Sequence, residues 1–158
     1  MSTDAAAVHD PWIVEQKWNI TYTHSADPVT AHFLRTLRDE GRLLGIGCPQ
    51  CGRVLAPPRP VCDRDFCRTE GWVELGSRGT LELFTVMYLS VQGLPDPPYV
   101  LCYVRPEGAD TAIPGVLQGI DLSDLDAALA RLKIGAEVQI STVEQRLGRI
   151  TDIRFDLA

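Results

Sequence analysis

Cys48-Pro49-Gln50-Cys51-Gly52 and Cys62-Asp63-Arg64-Asp65-Phe66-Cys67 decide how this chain is read, because four of its five cysteines fall between positions 48 and 67. Thiolates at knuckle spacing converge on one tetrahedral metal, most often zinc. The ten residues from Gly52 to Val61 are enough to turn back and stack the second pair against the first. In the first pair, Pro49 and Gly52 let backbone amides turn toward the thiolates, as in rubredoxin-type and zinc-ribbon knuckles. The second pair is less regular. Cys62 and Cys67 are separated by four residues, and Asp65 occupies the slot where a two-residue spacer would place a cysteine. Because soft thiolates suit zinc, the spacing predicts Cys48, Cys51, Cys62 and Cys67 as ligands, with Asp65 the competitor for the fourth position. No open coordination position is suggested, so the metal, zinc or alternatively iron, is expected to be structural.

Outward from the cysteines, the chain divides in two. On the N-terminal side, residues 1–16 read as a loose leader, and Lys17–His24 alternates as a strand with Trp18, Ile20 and Tyr22 on one side. Asp27-Pro28 then opens a helix through Glu40, with Ala31, Phe33, Leu34 and Leu37 as a partial apolar stripe and Gly41 to stop it. Its many exposed charges suggest an arm laid over another surface. On the C-terminal side the pattern is β. Trp72–Leu75 and Gly79–Val91 read as one interrupted strand, followed by a Pro-rich loop at Leu94–Pro98 and strands at Tyr99–Val104 and Ala112–Ile120, the latter broken by Pro114-Gly115. Ser123 is expected to cap a short helix ending at Gly135, and Glu137–Glu144 and Arg149–Leu157 supply two last strands.

Three strands, a helix and two strands is the order of the OB-fold, a five-stranded Greek-key barrel. The expected fold is therefore mainly β with short helices: an N-terminal helical arm, a rubredoxin-like zinc ribbon and a C-terminal OB-fold barrel. The boundaries are a leader at 1–16, arm and ribbon at 17–71, and barrel at 72–158. Neither half carries enough core to be very stable alone, so a shared interface is expected.

Composition narrows the function. With 45% hydrophobic and 23% charged residues, the 158-residue chain is ordinary for a globular protein. No apolar run approaches the roughly 20 residues that cross a membrane, and Met1–Asp10 lacks the basic and apolar regions of a signal peptide. A cytosolic setting, where clustered thiols bind metal rather than pair, is the expectation. The formal charge of −6 argues against a nucleic-acid partner, although six arginines against four acids gather between Arg42 and Arg78. No Ser-His-Asp grouping, phosphate loop or dinucleotide fingerprint is present. Cys102, in the strand Tyr99-Val100-Leu101-Cys102-Tyr103-Val104, would need a base and an oxyanion site to be a nucleophile, and the three histidines (9, 24 and 32) carry no such signature. Cys102 is expected to be buried and inert, and no catalytic residue is assigned.

The sequence from Pro28 to about Val143 resembles the zinc-ribbon/OB-fold accessory proteins associated with thiolases and related acyl-CoA enzymes. The residues that carry the resemblance are Leu43-Leu44, Cys48-Pro49-Gln50-Cys51-Gly52, Pro57-Pro58-Arg59 and Cys62, then Trp72, Gly79, Phe84-Thr85-Val86, Pro98-Tyr99-Val100 and Ile134-Gly135-Ala136-Glu137-Val138. The spacer of Cys62 and Cys67 departs from the two residues usual in that family. The resemblance implies a non-catalytic subunit of a thiolase or aldolase complex. Such a subunit helps form the acyl-CoA site or channel and assembles with a thiolase-fold partner, expected as a heterotetramer. In that setting Arg53 and Arg59 are candidates to meet the phosphates of coenzyme A. The competing reading is a zinc-ribbon/OB module that binds nucleic acid.

Overall fold

The computed structural model describes residues 13–16 and 23–158. The strand expected at Lys17–His24 lies almost wholly outside the described residues. Helix α1 spans Pro28–Glu40 and begins where its capping chemistry dictates. The Asp27 carboxylate accepts the N–H groups of Val29 and Thr30 at 2.9 and 3.1 Å, and the Thr30 hydroxyl at 2.6 Å. At the other end Gly41 takes φ 70°, and its N–H returns to the Leu37 carbonyl. Phe33, Thr36 and Leu37 are buried. The helix is thus an arm laid on the rest of the chain, with Phe33 and Leu37 reaching into its core. The Arg146 Nε donates to the Arg38 carbonyl at 3.0 Å, and the His32 ring lies 4.5 Å from that of Trp72.

Two sheets follow. In the first, β1 (Leu44–Gly47) is central, with β2 (Val54–Leu55) and β3 (Glu70–Glu74) antiparallel on either side. The second is a closed barrel of β4 (Arg78–Met87), β5 (Tyr99–Pro106), β6 (Ile113–Gln118), β8 (Ile153–Leu157) and β7 (Glu137–Thr142), in that spatial order. Helix α2 (Leu125–Arg131) connects β6 to β7. The β6–β8 pair is parallel and the other pairs are antiparallel, giving the five-stranded OB-fold.

Three local expectations change. The stretch read as one interrupted strand is two strands in different sheets, because the Leu75 N–H goes to the Leu43 carbonyl and the Gly76 N–H to that of Glu107. Pro114-Gly115 does not break β6, whose register runs through Tyr103↔Pro114 and Cys102↔Gly115. Asp124 rather than Ser123 caps α2, its carboxylate accepting the Ala127 N–H at 3.0 Å.

One apolar core joins these parts. It runs from Phe33 and Leu37 of α1 through Leu44, Ala56 and Leu75 into the barrel at Leu81, Val104, Ile113 and Phe155. The ribbon is also stitched to the barrel through its backbone. The Asp110 carboxylate accepts from the Val54 N–H at 2.8 Å, and the Asp110 N–H donates to the Val54 carbonyl at 2.8 Å. Thr111 repeats the exchange, its hydroxyl accepting from the Ala56 N–H at 2.7 Å and donating to the Ala56 carbonyl at 2.8 Å.

The loop before β8 is held by a single carboxylate. Asp152, 4% exposed, accepts the N–H groups of Leu147, Gly148 and Arg149 at 2.8, 2.7 and 2.9 Å through one oxygen. Removing it leaves three donors without this acceptor, in a loop whose Gly148 sits against Leu34 and Arg38 of α1. We expect Asp152→Ala to lower the unfolding free energy by about 3 kcal/mol in urea titrations, with Asp152→Asn intermediate.

Candidate metal centre

The cysteine segment folds as two short turns, each closed in the same manner. Cys48 follows β1, its N–H donates to the Arg53 carbonyl at 2.8 Å, and its carbonyl accepts the Gly52 N–H at 3.0 Å. Gly52 has φ 72°, a conformation that costs a glycine little. The chain then returns through β2, so the second turn lies against the first. The Cys51 and Cys62 sulfurs are 3.8 Å apart, and those of Cys48 and Cys67 are 3.5 Å apart. Asp65 reaches into the same space, its Oδ2 3.3 Å from Cys48 Sγ and 3.7 Å from Cys62 Sγ. Ligand atoms of Cys48, Cys51, Cys62 and Asp65 all lie within 4.8 Å of one another. The structure therefore brings together all four cysteines of the sequence expectation and the aspartate that competes with them.

So many acidic groups at one point compete for charge. Backbone hydrogen bonding from Cys51 favours the Cys48 thiolate and lowers its pKa. Hydrogen bonding to Asp65 pushes the Cys51 thiol up to about 12 and holds the Asp65 carboxyl below its ordinary range. Burial raises Cys67. A divalent ion at the centre removes this competition, since it favours every donor in its anionic form. The donor set is soft and nearly closed, with Cys48 and Cys62 buried, which suits zinc in a structural rather than a catalytic role.

The other residues singled out from the sequence have distinct fates. Arg53 and Arg59 meet on one carboxylate: Arg53 Nη1 lies 3.2 Å from Asp63 Oδ1, and Arg59 Nη1 lies 3.7 Å from Asp63 Oδ2. Cys102 is fully buried, with its sulfur 3.4 Å from the Gly115 carbonyl and its thiol pushed up to about 12 by burial. It has no thiolate character at neutral pH. Sequence reasoning missed an apolar cavity of about 530 Å³ on the barrel wall, lined among others by Leu94, Leu101, Val116, Val143, Ile150 and Ile153. Its lining comes from three strands and two loops, so no local motif announces it.

Residues 35–73 match a family model described as ChsH2, rubredoxin-like zinc ribbon domain, and residues 72–143 match the one described as ChsH2, C-terminal OB-fold domain. The chain belongs to the ChsH2 family. Its zinc ribbon and barrel follow each other in the chain as these models describe, and together they span well over half of its length. Among solved structures, the ChsH2-family chain is similar to one described as "Ltp2-ChsH2(DUF35) aldolase", with TM-score 0.63 and 20% identity over 85% of this chain and 98% of that one. It is also similar to a DUF35-family protein of unknown function from Sulfolobus solfataricus, with TM-score 0.59 and 20% identity over 83% and 86% of the two chains. At that identity these likenesses speak to the fold. Comparison with curated proteins gave no match.

Proposed function

We propose that this chain is a non-catalytic accessory subunit of a thiolase-fold enzyme, a thiolase or aldolase acting on acyl-CoA thioesters, that it assembles with that enzyme as a heterotetramer, and that it completes the acyl-CoA site or channel. The observation that carries the reading is the barrel surface. Leu83 and Tyr103, at paired positions on β4 and β5, are 57% and 42% exposed, and Tyr88 and Leu89 beyond them are 64% and 70% exposed. Leu83 and Tyr103 are neighbours across the two strands, and exposed apolar side chains that adjoin in this way mark a site of association. The nearby cavity has the size of a small-molecule site. ChsH2-family membership and the aldolase named with the structural neighbour support the choice of partner. Cys102, the one cysteine outside the ribbon, is fully buried, which argues against its use as a nucleophile. On this reading zinc fixes the ribbon, and Arg53 and Arg59 exchange Asp63 for the phosphates of coenzyme A. The alternative, nucleic-acid binding, finds less support: Arg42, Arg53, Arg59, Arg78 and Arg105 all face carboxylates.

Co-expression with thiolase-fold chains of the same organism tests the proposal. The expected result is co-elution, with thioester turnover only when both chains are present. Paired Leu83→Asp and Tyr103→Asp changes, on an exposed face, should weaken co-elution at least ~10-fold while leaving the melting temperature of the isolated chain within a few degrees. Cys102→Ala should leave turnover by the complex unchanged. A chain that never raises the activity of any such partner would sink the proposal.

A further inference from the structure

We infer that the metal centre is a three-thiolate, one-carboxylate site, with Asp65 as the fourth ligand and Cys67 a free thiol beside it. The inference rests on the ribbon holding a metal and is independent of the partner proposed above.

The two turns of the ribbon repeat one backbone pattern. In the first, the Cys48 N–H donates to the carbonyl five residues on, at Arg53, and the Cys48 carbonyl accepts from the N–H four residues on, at Gly52. In the second, the Cys62 N–H donates to the Cys67 carbonyl at 2.9 Å, and the Cys62 carbonyl accepts from the Phe66 N–H at 3.0 Å. The left-handed residue recurs at the same place, Gly52 with φ 72° and Phe66 with φ 54°. Phe66 is the one non-glycine with positive φ among the described residues, so the second turn adopts this shape against the preference of its own residue. Aligning the turns residue by residue places Cys62 on Cys48, Asp65 on Cys51 and Phe66 on Gly52. Cys67 falls on Arg53, a position outside the ligand set.

Distances agree with this equivalence. Around a tetrahedral zinc, two sulfurs stand roughly 3.8 Å apart and a sulfur and an oxygen roughly 3.6 Å apart. Asp65 Oδ2 is 3.3 Å from Cys48 Sγ and 3.7 Å from Cys62 Sγ, and it belongs to the set whose members are all within 4.8 Å of each other. Cys67 Sγ approaches Cys48 at 3.5 Å but stands outside that set. Thiolate softness, which favours Cys67, is here outweighed by the backbone, which points residue 65 at the centre.

The test is X-ray absorption at the zinc edge on the wild-type chain, together with metal-release rates for variants. Three sulfurs near 2.3 Å and one oxygen at about 2.0–2.2 Å are expected. Cys67→Ala should retain one metal per chain, with release to a chelator within about threefold of wild type. Asp65→Ala should release it at least ~10-fold faster, and Asp65→Cys more slowly than wild type. In the metal-loaded wild type a thiol reagent should modify one ribbon cysteine, and Cys67→Ala should abolish that reaction. Four sulfurs around the metal would overturn the inference, as would metal loss on Cys67→Ala with retention on Asp65→Ala, or a reduced chain that takes up neither zinc nor cobalt.

Discussion

Stripping the metal with a chelator should unfold the ribbon and lower the melting temperature of the whole chain by about 10 °C or more. The segment from Cys48 to Cys67 contributes little to the core beyond Leu55 and Ala56, and its short strands cannot hold themselves. Structural zinc supplies on the order of 10 kcal/mol of apparent binding free energy in small metal-folded domains, and that energy is folding energy here. Only part of it appears as stability, because the unfolded thiols also bind metal. Even so, a loss of about 4 kcal/mol shifts a chain of this size by roughly 10 °C. The loss should spread, since Ala56 and Leu75 connect the ribbon to the barrel core. Calorimetry with and without chelator measures the shift. Hydrogen exchange should show residues 44–74 losing most of their protection and the barrel strands losing a smaller part of theirs. A melting temperature unmoved by complete metal removal would contradict this account.

Gly115→Val should be almost as damaging, by the opposite route. A Cβ at position 115 would overlap Cε2 of Phe155 and stand 2.7 Å from its Cδ2. Phe155 is fully buried within the barrel core, so its ring can yield only by displacing its neighbours. Overpacking of this kind costs about 1–3 kcal/mol for the first methyl and more for a branched chain. Gly115→Ala should therefore lose about 2 kcal/mol in urea titrations, and Gly115→Val clearly more. Combining Gly115→Ala with Phe155→Leu should recover part of the loss, because the smaller side chain vacates the space. Strict additivity of the two changes would show that the contact is not the cause.

The contrast between what was and was not legible in the sequence follows the range of the interactions. Helix α1 could be read to the residue because Asp27, Pro28 and Gly41 act on backbone groups within a turn of themselves. The OB order survived because alternation and breakers mark each strand locally. The division of 72–87 between two sheets could not be read, since it is fixed by hydrogen bonds to Leu43 and Glu107, more than 30 residues away in either direction. Pro114-Gly115 looked like an interruption because composition cannot distinguish a glycine that turns the chain from one that makes room for Phe155. At the metal centre five candidate donors compete for four positions. The repeated hydrogen-bond pattern of the two turns, which bears on the choice between Asp65 and Cys67, exists only in three dimensions.

The exchange of hydrogen bonds between Val54 and Asp110, and between Ala56 and Thr111, has a consequence for protein engineering. Ribbon and barrel look like cassettes that could be traded among relatives at the junction near residue 72. They are not modular in that sense. A graft that carries the ribbon alone would set Val54 and Ala56 opposite a foreign loop, with neither carboxylate nor hydroxyl at the right height. A working chimera has to transplant positions 110 and 111 along with the ribbon, although they lie far beyond its end in the sequence.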